Sequence, residues 1–369
     1  MAKKKKKSAA AKAAGKRTTK KTTGKSAAKA TKKTTRKTAK VTKTRKTAAP
    51  KKTTASRAGS RGMPPGVSTK DFLRISDWTS DEIHATIDWA RKWKAGKVAP
   101  RPLENQVAGL IFHKPSLRTR QSFETGVFKL GGHPMFITDA EIKLGVRESI
   151  HDVAKVMSRY LGLIVIRTFK QSDVDELAHH ATVPVINALT DAYHPCQVLG
   201  DIMTAQEHLG RIEGLSVAFL GDGNNVFHSW ANLAARIPMD LRLATSAQTM
   251  PDAKIIEKAR QTVQGRILIT EDPKEAVDKA DIIYTDVWAS MGQKELADQR
   301  AQLLQAFQVN SALVARAKPS AIVMHCLPAE RGREITDEVM DGPQSVVFDE
   351  AENRLWIQGA IIAQLLARR

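Results

Sequence analysis

VAGLIFHKPSLRTRQSFETGVFKL, from Val107 to Leu130, is the stretch on which the fold turns. Its first six residues form an unbroken apolar run of strand length, and from Arg120 to Leu130 the apolar residues recur at helical spacing. A strand apolar on both faces, followed at once by a helix, is the repeating unit of a parallel sheet. The unit recurs along the chain. HPMFIT (His133–Thr138), GLIVIRT (Gly162–Thr168) and VPVINAL (Val183–Leu189) read as further buried strands, with a helical pattern from Glu148 to Tyr160. A long helix, roughly Pro195 to Leu209, leads to a second series: LSVAFLGD, LRLATS, RILIT, DIIYTDV and AIVMHCLP. The expectation is an α/β protein of two doubly wound parallel-sheet domains with the active-site cleft between them, ligands lying at the carboxyl ends of the strands. The first domain spans about 66–205 and the second 206–350. A last helix, about Ala351 to Leu366 within the segment 351–369, is expected to pack back on the first domain.

Upstream of residue 63 the composition changes. The 369-residue chain has 59 Lys and Arg against 38 Asp and Glu, a net charge of +21. Residues 1–62 hold 24 of those cations and no acidic residue, leaving 35 basic against 38 acidic residues, a net of −3, on the rest. The tail is built almost wholly of Lys, Ala, Thr, Ser, Arg and Gly, with no aromatics and only Met1 and Val41 as larger apolar residues, and cannot bury enough surface to offset the entropy of ordering. It is expected to be disordered. It resembles linker-histone tails, and its charge density suits non-specific binding of nucleic acid or another polyanion by phosphate neutralisation. A solvated appendage and a misassigned start, with Met63 as the true one, are the competing readings. A mitochondrial presequence fits less well, because the cations are mostly Lys and no amphipathic face recurs.

The two cysteines, Cys196 and Cys326, are too few for a disulfide framework and fit a reducing cytoplasm. No apolar run is long enough to span a bilayer, so no membrane partner is expected.

The sharpest local signal is KPSLRTR, Lys114 to Arg120, between a strand and a helix. Free N–H groups and the dipole at a helix start favour a phosphate, to which Ser116, Arg118 and Thr119 add donors. A merely solvated basic first turn would run against the dipole's preference for acidic residues there. No Walker-type glycine loop is present. YHPCQ, Tyr193 to Gln197, offers a neutral His for a developing oxyanion and an amide for an NH2 group. GDGNN (Gly221–Asn225), DVWASMG (Asp286–Gly292) and HCLP (His325–Pro328) each follow an apolar strand. His194 and Cys196 with His325 and Cys326 do not have the spacing of common zinc sites, and GDG lacks the third glycine of a dinucleotide fingerprint. No metal or cofactor is expected.

SLRTR, HPCQ, DGNN, D-x-x-x-SMG and HCLP, in this order, resemble the motif set of the ornithine carbamoyltransferases, from about Ser68 to the C-terminus. SxRTR and HPxQ are shared across the carbamoyltransferase family, while D-x-x-x-SMG and HCLP narrow the acceptor to ornithine. The resemblance implies a transferase that moves the carbamoyl group of carbamoyl phosphate to the δ-amine of L-ornithine, giving L-citrulline and phosphate in arginine metabolism. Ser116, Leu117 (through its backbone), Arg118 and Thr119 would bind carbamoyl phosphate. Arg167 would reach phosphate and carbonyl, His194 and Gln197 the carbamoyl oxygen and nitrogen, and Arg354 would close over the carbonyl. Asn225 and the Ser290–Met291 loop would take the α-carboxylate end of ornithine and Asp286 its α-ammonium, with Cys326 and Leu327 near the δ-amine. Arg118, His194 and Cys326 are the candidate catalytic residues. A thiolate or carboxylate there could accept the δ-amine proton.

The resemblance also implies a homotrimer or a multiple of one, in which the loop from Glu141 to Ser149 brings Lys143 to a neighbour's phosphate site. Relatives often carry Gln or His at that position, Ala where Gly200 stands, and His where Trp356 stands. Competing functions are a putrescine or other amine carbamoyltransferase, and a DNA-associated protein with an inactive enzyme body. The presence of Arg118, Arg167, His194, Asp286, Cys326 and Arg354 speaks for the enzyme.

Overall fold

The computed structural model describes residues 62–288 and 294–367. Residues 1–61 of the basic tail, and the Ser290–Met291 pair expected to hold ornithine, lie outside the described residues, whereas Gly62 is described and its carbonyl accepts from Trp89 Nε1 at 2.7 Å.

The first helix, α1 (Ser80–Lys94), starts at Thr79, whose side chain accepts from the Glu82 N–H while Glu82 reaches back to the Thr79 N–H. This reciprocal cap satisfies two of the donors a helix start leaves open. The chain then forms β1 (Val107–Phe112), α2 (Leu117–Lys129), β2 (His133–Thr138), the one-turn α3 (Asp139–Ile142), α4 (Ile150–Tyr160), β3 (Leu163–Arg167), α5 (Gln171–His180) and β4 (Val185–Leu189). These strands make a parallel sheet in the order β2-β1-β3-β4. All of β3 and β4, and β1 after its first residue, are buried, whereas the edge strand β2 has only exposed and half-buried positions. Continuous apolar runs in the interior and a mixed run at the edge are what coverage of both faces demands.

The helix α6 (Pro195–Leu209) has Pro at its first turn, where no N–H is needed, and ends at Gly210 with φ 73°. It joins the first sheet to β5 (Leu215–Leu220), α7 (Asn225–Ala234), β6 (Met239–Ala244), α8 (Ala253–Arg260), β7 (Arg266–Thr270), α9 (Pro273–Val277) and β8 (Ile282–Thr285). There follow α10 (Lys294–Leu304), α11 (Ser311–Val314), β9 (Ile322–His325), α12 (Asp337–Met340) and α13 (Val347–Ala367). The second sheet, also parallel, has the order β7-β6-β5-β8-β9. The fold is therefore α/β with two doubly wound parallel sheets, as the strand–helix alternation predicts.

Each sheet changes winding direction once, between β1 and β3 in the first and between β5 and β8 in the second. Loops leaving the carboxyl ends of strands diverge at such points and leave room for a ligand. The motif-bearing loops start there, SLRTR after β1, Arg167 at the end of β3, GDGNN after β5 and Asp286 after β8. The β3–β4 register slips at Arg167, which pairs with Leu189 although Ile166 pairs with Asn187. The bulge turns the strand end beside the loop that carries His194.

Two helices start earlier than the apolar periodicity indicates. Helix α2 begins at Leu117 because Ser116 caps it, which puts most of SLRTR inside its first turn. Helix α13 begins at Val347, so Glu350 lies within it and not ahead of it. Helix α13 lies against α1, α2 and α6. No described helix is long and apolar enough to cross a membrane.

Candidate active site

Ser116 is the N-cap of α2, its hydroxyl accepting from the Thr119 N–H at 3.4 Å and donating to Thr119 Oγ1 at 3.0 Å. No acidic residue occupies the first turn, so the positive end of the helix stays uncompensated by its own side chains. Leu117 is exposed and Arg118 half-buried, and among the described residues Arg118 has no hydrogen-bond or ion-pair partner. The buried Arg354 guanidinium, from α13, donates to Thr119 Oγ1 at 2.7 Å. That contact ties the C-terminal helix to the start of α2.

Arg167 ends β3, buried, with Nε unpartnered among the described residues, as is Nε of Arg354. Burial, followed by the Arg354 and Arg118 charges, lowers Arg167 to about 10. Burial also lowers Arg354. Both remain cationic near neutrality, and with Arg118, whose charge also acts on Arg167, they are guanidiniums of the type that can receive an anion of more than one charge. His194 caps α6 with its backbone N–H donated to Ser229 Oγ at 2.8 Å, and its Nδ1 is buried without a partner among the described residues. Burial first, then Arg354 and Arg167, holds the imidazole well below its ordinary value. It is neutral at physiological pH, the state in which it can offer one N–H to a carbonyl oxygen without adding charge.

On the second sheet Asp286 is half-buried. It accepts from Asn224 Nδ2 at 2.7 Å, from the Val287 N–H at 2.8 Å and from Cys326 Sγ at 2.8 Å. Desolvation and the Asp286 carboxylate push the Cys326 thiol well above its usual value. Of the two proton acceptors the sequence offers, the thiolate is thus disfavoured and the carboxylate favoured. Leu327 has φ 55°, a left-handed conformation that costs a side-chain-bearing residue energy. Its N–H is held by His325 Nδ1 at 2.9 Å.

Sulfur, carboxylate and imidazole donors of Cys326, Asp286 and His325 lie within 4.8 Å of one another. Three donors of these types could ligate a transition metal. The His325 ring is committed, however, since Nδ1 accepts from Leu327 and Nε2 donates to the buried Glu334 carboxylate at 3.1 Å. A metal would have to break one of these bonds and take the proton from the thiol. Two separate sets of hydrogen bonds hold the HCLP turn, Cys326 to Asp286 and Leu327 through His325 to Glu334.

Several contacts join the residues around the two sheets. Asn225 Nδ2 donates to the Thr190 carbonyl at 2.6 Å, and His228 bridges the Ala192 carbonyl and the Asp252 N–H. Gln197 is fully buried and bonds to Asp201 and Glu350. Lys143 is apart from this group, exposed, in a left-handed conformation at the end of α3. The sequence reading missed Asn224, Asp201 and Glu350. The Gln197–Asp201 spacing of four residues places both on one helix face and was a usable signal. Nothing local marks Glu350, whose partners are far away in the chain.

Residues 70–207 match the aspartate/ornithine carbamoyltransferase family's carbamoyl-P binding domain, and residues 213–365 match its Asp/Orn binding domain. The chain is 47% identical over 307 residues to a chloroplastic ornithine carbamoyltransferase of Pisum sativum, a match covering 82% of either chain. It is 46% identical to the ornithine carbamoyltransferase of Syntrophus aciditrophicus, over 80% of this chain and 99% of that one. Among solved structures, the ornithine carbamoyltransferase of Pyrococcus furiosus superposes with a TM-score of 0.76 at 45% identity, over 80% of this chain and 96% of that one. The anabolic ornithine carbamoyltransferase of Campylobacter jejuni gives 0.78 at 32% identity, over 82% and 100%. With both domains matched and the motif loops gathered at the strand ends of two doubly wound sheets, the chain belongs to the aspartate/ornithine carbamoyltransferase family.

Proposed function

We infer that the protein is an ornithine carbamoyltransferase, transferring the carbamoyl group of carbamoyl phosphate to the δ-amine of L-ornithine to give L-citrulline and phosphate. One observation carries the reading. Arg118, Arg167, Arg354 and neutral His194 are set out for an anionic acyl donor, while Asp286 and Cys326 stand at the strand ends of the second sheet. The δ-amine, bound in its neutral form, attacks the carbamoyl carbon, and the proton its nitrogen then sheds is taken up by the departing phosphate. Negative charge then develops on the carbamoyl oxygen, where His194 and the guanidiniums stabilise it. The bond from carbon to the bridging phosphate oxygen breaks, and phosphate leaves bound at the α2 start. Asp286 is suited to the α-ammonium, Asn225 and the Ser290–Met291 loop to the α-carboxylate, and Leu327 to the reacting centre. The domain assignment that goes with this is 66–205 with 351–369 for carbamoyl phosphate, and 206–350 for ornithine.

The test is citrulline formation with ornithine and putrescine side by side, before and after EDTA. Turnover of putrescine but not ornithine would overturn the acceptor, and loss in EDTA restored by zinc would overturn metal-free chemistry.

The proposal extends to a homotrimer, in which Lys143 serves a neighbour's site. It is supported by the exposure of Lys143, which ends α3, and of Val146 (85%) in the same loop. Two unpaired thiols, Cys196 and Cys326, support a cytoplasmic setting. The 24 cations of residues 1–62 support a second, separate property, polyanion binding through the tail.

A further inference from the structure

Gln197 is the residue whose amide must meet the carbamoyl NH2 if the proposed reaction is right, and an amide can be presented either way round. Its two N–H bonds are both taken on one side. Nε2 lies 2.8 Å from Asp201 Oδ1 and 2.9 Å from Glu350 Oε1. Its Oε1 is buried and has no partner among the described residues. Glu350 is itself fixed, whereas Asp201 is held by its place on α6 and its Oδ2 is buried without a hydrogen-bond partner among the described residues. Glu350 Oε2 accepts from the His325 N–H at 2.9 Å, Glu350 Oε1 also accepts from the Tyr284 hydroxyl at 3.4 Å, and Asp201 sits one turn after Gln197 on α6. All three side chains are fully buried, so water cannot substitute for any of them.

We propose that Asp201 and Glu350 are positioning residues that hold the Gln197 amide with its oxygen toward the substrate, and so make the site select an acyl phosphate bearing an NH2 group. The inference rests on the carbamoyl phosphate reading above. Were the amide reversed, its oxygen would face two carboxyl oxygens within 3 Å, and its NH2 would meet the carbamoyl NH2 donor to donor. With the amide as it stands, the buried oxygen is satisfied by a carbamoyl NH2 and left unpaired by the methyl group of acetyl phosphate. A site built around one hydrogen-bonding group discriminates strongly against an isostere that lacks it. The carboxyl pair keeps at least one proton near neutrality. Burial pushes Asp201 up to about 7, and burial with the facing Asp201 pushes Glu350 well above the usual carboxylate range. That proton limits the repulsion two carboxylates would otherwise feel across one amide.

The experiment measures binding of carbamoyl phosphate, acetyl phosphate and inorganic phosphate to the full-length protein and its variants. The natural protein should prefer carbamoyl over acetyl phosphate by at least about tenfold. Glu350→Gln keeps the shape but confronts an NH2 with either the Gln197 NH2 or the His325 N–H. It should cut that preference to within about threefold, with inorganic phosphate bound within about twofold of the original affinity. Asp201→Ala should also lose the preference, and Asp201→Asn, which retains an acceptor oxygen, should keep it. If both Glu350→Gln and Asp201→Ala keep the preference, or if phosphate binding falls as far as carbamoyl phosphate binding, the positioning role is wrong. Should either variant fail to fold, the other carries the same test. If the natural protein itself does not prefer carbamoyl phosphate to phosphate, it is the functional reading that fails.

Discussion

Arg118 lies in the first turn of α2, half-buried, and no described residue pairs with it. Arg118→Ala should lower turnover on the order of a hundredfold, the loss typical of one oxyanion-stabilising group. A fall of less than about fivefold in kcat/KM would place the phosphate elsewhere. Asp286 has a double role that one substitution separates. Asp286→Asn should harm ornithine more than putrescine, through the lost α-ammonium contact. It should also make Cys326 react faster with iodoacetamide at a fixed pH, because the carboxylate that holds the thiol protonated is gone. Equal losses on both amines would put Asp286 in the chemistry and not in recognition. His194 bears on stability. It is neutral in the folded protein at a pH where the unfolded chain's imidazole, with a pKa near 6.5, begins to take a proton. Below about pH 6.5 the unfolded state therefore binds more protons, and stability falls as pH falls. Urea unfolding of His194→Asn should depend less steeply on pH between about 5 and 6.5 than that of the natural protein. An unchanged slope would mean that His194 does not set the acid sensitivity.

Helix α13 connects the site to the rest of the fold, because its Arg354 reaches Thr119 in α2 and its Glu350 reaches Gln197 in α6. Its close approach to α1 depends on Gly359, where a Cβ would stand 2.6 Å from Cη2 of the buried Trp93 and closer still to Cζ3. Trp93 in turn packs edge-on against Trp356, ring centroids 5.1 Å apart. Gly359→Ala should cost about 1–3 kcal/mol through overpacking, since an indole held on several sides cannot withdraw. Thermal unfolding should shift down by several degrees, and because Arg354 and Glu350 are on the same helix, the KM for carbamoyl phosphate should rise with it. A variant as stable as the parent would show that α1 and α13 separate more easily than their packing implies.

Over the whole molecule the charge divides into two parts. Residues 1–62 hold 24 cations and the remainder nets −3. Deleting residues 1–62 should leave kcat and KM within about twofold, because every implicated side chain lies beyond it and the tail lacks the apolar residues to pack a core. The same deletion should abolish DNA binding, which in the full-length chain should be indifferent to sequence and weaken steeply with salt. Binding at several salt concentrations, with and without the tail, checks both. A truncated body that still bound DNA would point to a basic groove on the folded domains. The assembly is tested by sedimentation together with assay, and a fully active monomer would remove the trimer and the role of Lys143 with it.

Chain-local physics determined the sheets and most of the site. VAGLIF, GLIVIRT and VPVINAL are apolar without alternation because covered parallel strands have no solvent face, and SLRTR, HPCQ and HCLP stand where such strands end. That much is set by neighbours in the chain, so it can be read there. The start of α13 at Val347, the Arg354–Thr119 contact and the Gln197–Asp201–Glu350 cluster join residues up to 235 positions apart. Only folding brings them together. Likewise the state of Cys326 depends on Asp286, 40 residues away. A thiol's reactivity and an amide's orientation are set by the groups within about 3 Å of them in space, and it was the tertiary structure that chose those groups.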